Sequence, residues 1–333
     1  MKKITTCIIL VISVGYTAVS CYSEKIENIN HDVVECIQPQ ITAYYDSIKS
    51  SFIGDLLVTK DYVIWENPHS TEDYLHIIDK SERKELASLD CINDELKKSM
   101  TTRIEKGIQN ELIIHDFDFK RKANILIDNF KTNSNGFTFT DITYGENILK
   151  IIKLSDGNDL LFSPEAKQPF GIVKDNIIYS SGKYPITNMW ITPDDILNYF
   201  DGTIIYNATN DMLLYSTSSF RYMALYKRHG NKLQLIKETG GPDYSIENNR
   251  LKLGKNENGI SEIALTRNYI ITAEHLKDGI SFKETLCVYD YNLQLKKILR
   301  IDQPIARIGA NSDTDTIFAV IESPEYKMVT ISF

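Results

Sequence analysis

His115-Asp116-Phe117-Asp118 is the densest run of groups in this chain that could do chemistry. If the run is a strand, Asp116 and Asp118 share one face, because alternate residues point the same way. Two carboxylates side by side can hold a cation or act as acid and base, and a solvated strand edge accounts for them equally well. His115, Asp116 and Asp118 are therefore weak candidates for a channel or ligand site. The other histidines, at 31, 69, 76, 229 and 275, are scattered. His76 and His115 lie in strand-like runs, where a core or channel-facing imidazole is the ordinary finding.

Other acid groups have simpler explanations. Asp194-Asp195 follows Thr192-Pro193, the pattern of a capped helix start, where acids complement the positive end of the dipole. Asn311-Ser312-Asp313-Thr314-Asp315 lacks the glycine and distal glutamate of a calcium loop and fits a turn between strands. There is no HExxH, GxSxG, P-loop or GxGxxG. No cysteine pair has CxxC spacing, which argues against a zinc or dithiol redox site. No metal or cofactor is expected on these grounds, and catalytic residues stay unassigned. The sequence leaves enzymatic activity undecided and favours a non-enzymatic role.

The elements that would carry these groups are mostly strands. Tyr62-Val63-Ile64-Trp65 and Leu75-His76-Ile77-Ile78 are short runs of β-favouring residues bounded by turn chemistry. Asp156-Gly157 between Ile151–Leu154 and Leu160–Phe162 predicts a tight hairpin. Helical spacing is expected in two places. Leu96, Met100 and Ile104 lead to Gly107 over 93–107, and Thr192 opens a run that ends at Gly202.

A faint repeat runs through the strands. Asp61-Tyr62-Val63-Ile64 leads to Leu75–Asp79 and then Leu86–Asp90; Asn268–Ile271 leads to Leu286–Asp290 and then Leu293–Leu295. Met212–Tyr215, Tyr222–Tyr226 and Leu233–Ile236 form a third copy. Further starts at Asn176 and Thr316 give a spacing of roughly 35–55 residues, the size of one four-stranded propeller blade. Such a blade has two apolar faces and must be packed between neighbours. About 280 residues then make about six blades. The fold expected is an all-β propeller, six blades of four antiparallel strands, with one or two short helical insertions. A two-sheet sandwich would leave the repeat unexplained.

The net charge of −8 becomes more negative once Lys2 and Lys3 are removed. That sign argues against nucleic acid, which needs a basic footprint, and against attraction to anionic lipid headgroups. Met1-Lys2-Lys3 and the apolar run to Val19 form a signal peptide over 1–20, the apolar part being too short for a bilayer span. Ala18-Val19-Ser20 suits ordinary signal peptidase. Followed by Cys21, it also resembles the lipobox of bacterial lipoproteins, in which a diacylglyceryl thioether forms on the cysteine and fatty acids such as palmitate anchor the chain. Tyr22 in place of Asp favours the outer membrane. With Cys21 acylated, Cys36, Cys91 and Cys287 are an odd set that allows at most one disulfide.

The repeat, the lipobox at Cys21, and Thr239-Gly240-Gly241-Pro242-Asp243-Tyr244 followed by Gly259-Ile260 and Asn268–Ile271 resemble the TolB-like six-bladed propeller lipoproteins of Bacteroides-type bacteria. The resemblance implies the fold and a cell-envelope location, periplasmic or surface-facing, and no activity. The domains expected are a signal peptide over 1–20, a lipid-anchored tether and lead-in over 21–50, and the propeller over 51–333. Tyr44, Tyr45, Trp65, Trp190, Tyr199, Phe200, Phe220 and Tyr222 would wedge between blades or form stacking platforms for sugars. Three roles remain open: a binding module holding a protein or glycan partner at one propeller end; a hydrolase or lyase acting on polysaccharide through channel-mouth carboxylates; and a structural envelope protein without a small ligand.

Overall fold

The computed structural model describes residues 34–333 apart from 47, 51, 69, 71–72, 91–101, 109, 133–138, 145–147, 165, 187–191, 248–249, 255–258 and 275–284. The signal peptide, Cys21, Cys91, Trp190, His31, His69 and His275 lie outside the described residues.

The chain is a six-bladed β-propeller. Blade I is built from Leu56–Val58, Tyr62–Glu66, Asp73–Asp79 and Lys84–Asp90, and blade II from Thr102–Lys106, Glu111–Asp116, Arg121–Leu126 and Phe139–Asp141. Blade III takes Lys150–Lys153, Asp159–Phe162, Phe170–Lys174 and Ile177–Ser181; blade IV takes Gly202–Asn207, Met212–Thr217, Tyr222–His229 and Lys232–Gly240. Blade V is Ile260–Leu265, Tyr269–Glu274, Thr285–Asp290 and Leu295–Arg300, and blade VI contributes Ile305–Ala310, Ile317–Ser323 and Glu325–Ser332. The first strands of the six blades neighbour one another in a closed ring around the axis.

Two N-terminal strands complete the circle. β1 (Cys36–Ile37) adds to the outer edge of blade V, parallel to Leu295–Arg300. β2 (Gln40–Tyr45) is the outermost strand of blade VI, antiparallel to Glu325–Ser332. The propeller therefore takes its last strand from the stretch that the sequence assigns to the lead-in. No turn signal or helical period marks 40–45, because its partner strand lies at the opposite end of the chain.

The 93–107 helix needs correction. Thr102–Lys106 is the innermost strand of blade II, paired with Glu111–Asp116, and 91–101 lies outside the described residues. Ile104 is buried and Glu105 faces the channel; the alternation of a strand with two packed faces overrode an apparent four-residue period. The second helix forms as expected. Helix α1 (Pro193–Phe200) carries a capping box in which Thr192 Oγ1 accepts from Asp195 N at 3.2 Å and Asp195 Oδ2 accepts from Thr192 N at 3.0 Å. Among the described residues it is the one α-helix.

Aromatic side chains wedge between the blades. Phe162, Phe170, Phe200, Tyr215, Phe220 and Tyr222 are all buried in one cluster joining blades III and IV. Trp65 is buried between blades I and VI, its ring 3.9 Å from that of His76. Asp315 stitches blade VI to blade V by accepting from Thr266 Oγ1 at 2.9 Å and Asn268 N at 2.9 Å, which is the work of the 311–315 turn. The Asp156-Gly157 hairpin turn is present, with Gly157 at φ 84°.

Candidate functional site

Each blade is antiparallel and each outermost strand hands over to the next innermost one, so all six innermost strands start at the same end of the channel. That end, the mouth, holds a cavity of about 430 Å³. Its walls come from the first residues of the innermost strands: Asp55 and Leu56, Arg103 and Glu105, Lys150, Asp201 and Thr203, Glu262, and Arg307. Strand alternation explains the set, since positions two apart, such as 103 and 105 or 201 and 203, point the same way into the channel.

The charges form a partly paired ring. Lys150 Nζ lies 2.8 Å from Glu105 Oε1, joining blades III and II. Arg307 Nη1 lies 3.3 Å from Glu262 Oε1, and its Nε donates to the Gly54 carbonyl at 2.7 Å, joining blade VI to blades V and I. Arg103 is looser, 4.0 Å from Asp55 with about half its side chain exposed. Asp201 accepts from the Gly202 N–H at 2.6 Å, and no lysine or arginine among the described residues pairs with it.

Burial makes these carboxyls weaker acids. It pushes Glu262 up to about 7 against the pull of Arg307, and raises Glu105 against that of Lys150. Asp201 is raised by burial too, with Arg103 working the other way. Lys150 is raised although burial opposes it, because Glu105 and then Asp55 favour its charged form. Behind the ring, Glu66 is buried and is pushed up to about 8 by desolvation and then by Asp55. The channel mouth thus presents hydrogen-bond donors and acceptors, with several carboxyls held above their ordinary range.

The mouth also collects the long connections. The stretch from Gly182 to Asp201 carries α1, and the one from Gly241 to Gly259 carries a hairpin of Tyr244–Glu247 and Arg250–Leu253. Gly240, at φ 78°, opens the latter, and a side chain there would collide with the Arg221 carbonyl. The exposed large aromatics among the described residues, Phe52, Phe119 and Tyr244, all stand on connections at this end. Exposed Ile108, Leu126, Ile177 and Ile178 lie at the opposite end.

The sequence candidates sit elsewhere. His115 is buried in blade II, and neither ring nitrogen has a hydrogen-bond partner among the described residues. Asp116 points to the other strand face, pairs with Arg121 Nε at 2.9 Å and accepts from Phe119 N at 3.2 Å. The strand ends at Asp116, so Asp118 falls in the exposed turn that follows and does not share its face. None of the three lines the cavity. The cavity acids were missed because each stands alone in sequence, on a different blade. The one signal was position: Asp55, Asp201 and Glu262 each fall at or near the start of an innermost strand. Of the cysteines, Cys287 is buried, its thiol held well above the ordinary range by burial, while Cys36 is exposed; both are free thiols.

No family model matches the chain, and no curated protein matches it. Solved structures do. A gluconolactonase from Xanthomonas campestris aligns with TM-score 0.53 at 10% identity over 92% of this chain and 95% of its own. Virginiamycin B lyase from Staphylococcus aureus aligns with TM-score 0.51 at 9% identity over 89% of this chain and 100% of its own. At such identity the likeness is one of fold.

Proposed function

We propose that this chain is a cell-envelope lipoprotein of the TolB-like kind, anchored through Cys21 to the outer membrane, whose propeller mouth holds a glycan or protein partner. The observation that carries this reading is the convergence of the charged cavity, both inserted elements and the exposed aromatics on one end of the channel. Aromatic faces beside polar groups suit a ligand that is apolar on one side and hydrogen-bonding on the other.

The test is a binding panel of purified envelope polysaccharides and peptides. Phe52→Ala and Tyr244→Ala should each weaken the best ligand by about tenfold. Ile177→Ser, at the other end, should leave affinity unchanged. Equal behaviour of the three variants would overturn the reading.

A second reading rests on the buried acids. Glu262, near 7, and Asp201 belong to one cavity, so a hydrolase or lyase acting on polysaccharide remains a proposal alongside binding. New reducing ends or unsaturated products, lost in Glu262→Gln, would favour it over binding alone.

A further inference from the structure

We propose that the mouth cavity, at the point where α1 ends on Asp201, is a binding site for the ammonium group of a small polar ligand. This rests on the reading that the mouth is the binding end, and adds what chemistry it selects.

The first support is the distribution of charge. Asp55, Glu105, Asp201 and Glu262 line the cavity against Arg103, Lys150 and Arg307. Lys150 is taken by Glu105, and Arg307 by Glu262 and the Gly54 carbonyl, while Arg103, half exposed, lies 4.0 Å from Asp55 and donates to the Thr102 carbonyl at 3.1 Å. Asp201 is the carboxylate left over, with one backbone N–H as its donor. A part-buried carboxylate without a counter-charge is costly, and a cation beside it offsets that cost.

The second support is independent of the ring. Asp201 is the C-cap of α1, so the negative end of the helix dipole is added at the same place. Helices commonly place a basic residue in the last turn, and α1 has none. The charge of Arg103 acts on Asp201, and no ion pair joins the two among the described residues. The volume of about 430 Å³ fits a monosaccharide or a short peptide end. An ammonium brings three donors and one charge, which Asp201 and the Thr203 hydroxyl on the same channel face can receive.

An amino sugar and a peptide amine share this chemistry, and paired probes separate them. Titration of the full chain by calorimetry at low salt would compare glucosamine with N-acetylglucosamine, and glycinamide with N-acetylglycinamide. At least one amine should bind about tenfold more tightly than its acetylated partner. Asp201→Asn should abolish that preference and Asp201→Glu should keep it. Thr203→Lys should also abolish it, by placing an ammonium of the chain's own beside Asp201, and guards against a helix-cap defect in Asp201→Asn. Equal affinity within both pairs overturns the inference, as does a preference that survives Asp201→Asn and Thr203→Lys. If that happens while the glycan panel still responds to Phe52→Ala, only this site falls. A probe preference that depends on Asp201, beside a panel blind to Phe52 and Tyr244, keeps the site and overturns the wider surface.

Discussion

The backbone N–H of Asp55 donates to Glu66 Oε2 at 2.9 Å, so a buried carboxyl stands directly behind an acid of the channel mouth. Tyr74 Oη holds the other oxygen and also meets Thr102 Oγ1, carrying the contact into blade II. Burial, reinforced by Asp55, keeps Glu66 protonated up to about 8. Unfolded, it would ionise near 4.5. Between these values the folded chain binds one proton more, so stability falls as pH rises, by up to about 1.4 kcal/mol per pH unit from this group. Glu66→Gln should flatten that slope in urea unfolding between pH 5 and 8. A slope like the parent's would refute the assignment.

His115 has the opposite sign. Burial, and after it the charge of Lys122, hold the imidazole down to about 3 from 6.5. The unfolded chain binds the extra proton between these values, so stability rises with pH through that window. Both ring nitrogens are buried without partners among the described residues, so His115→Leu should raise stability at pH 7 by about 1 kcal/mol, and by more at pH 5. Thermal unfolding at the two pH values is the measurement. A loss of several degrees at pH 7 would mean that the ring has a partner of its own.

Arg221 and Glu274 form a buried ion pair joining blades IV and V. Glu274, 1% exposed, also accepts from Tyr289 Oη at 2.6 Å and Thr272 Oγ1 at 2.7 Å. Arg221→Met leaves that carboxylate uncompensated and should cost about 3–5 kcal/mol. Arg221→Met with Glu274→Leu should recover most of it, since the buried charge goes too. Chemical denaturation of the single and double variants decides this, and a double variant no better than the single one would count against it.

Most of the fold is legible in the chain, because each blade is a local meander whose strands follow one another. The runs at 61–90, 212–236 and 268–295 correspond to blades I, IV and V. Blades II and III lie where no repeat start can be placed, between Asp61 and Asn176. Blade II ends in a three-residue strand, Phe139–Asp141, and its innermost strand carries Arg103 and Glu105 at alternate positions for the channel, which breaks the apolar run. The candidate site was the least legible part. A ring drawn from six blades is assembled by closure of the sheet, whereas His115, Asp116 and Asp118 are near neighbours in sequence, of which strand alternation parts the first two and the turn at 117–120 removes the third.

Closure itself depends on β2. Its pairing of Ile41 with Ile331 and Ala43 with Val329 makes blade VI four-stranded and covers an otherwise open edge. A chain beginning at Gln40 should fold, with some loss from the missing β1. A chain beginning at Asp46 should leave Val329 and Met328 uncovered and aggregate. Size-exclusion chromatography and limited proteolysis distinguish them; a monodisperse, protease-resistant chain from Asp46 would show that β2 is dispensable.

The direction of β1 bears on how a lipid anchor would present the mouth. Leu295–Arg300 runs toward the mouth, and β1 runs parallel to it, with Glu35 O accepting from Ile298 N at 3.1 Å. Val34 and Glu35 therefore approach β1 from the opposite end, where Ile177 and Ile178 are exposed. If Cys21 carries lipid, the full chain should sediment with membranes and take up a fatty-acid label, and Cys21→Ala should do neither. In that anchored form, a fluorophore on Ile177→Cys should be quenched by spin-labelled lipid far more than one on Tyr244→Cys, both in a background with Cys36, Cys91 and Cys287 replaced. Retention and labelling of Cys21→Ala would remove the anchor. Stronger quenching at 244 would turn the mouth toward the membrane, and with it the surface on which a soluble partner was proposed to bind.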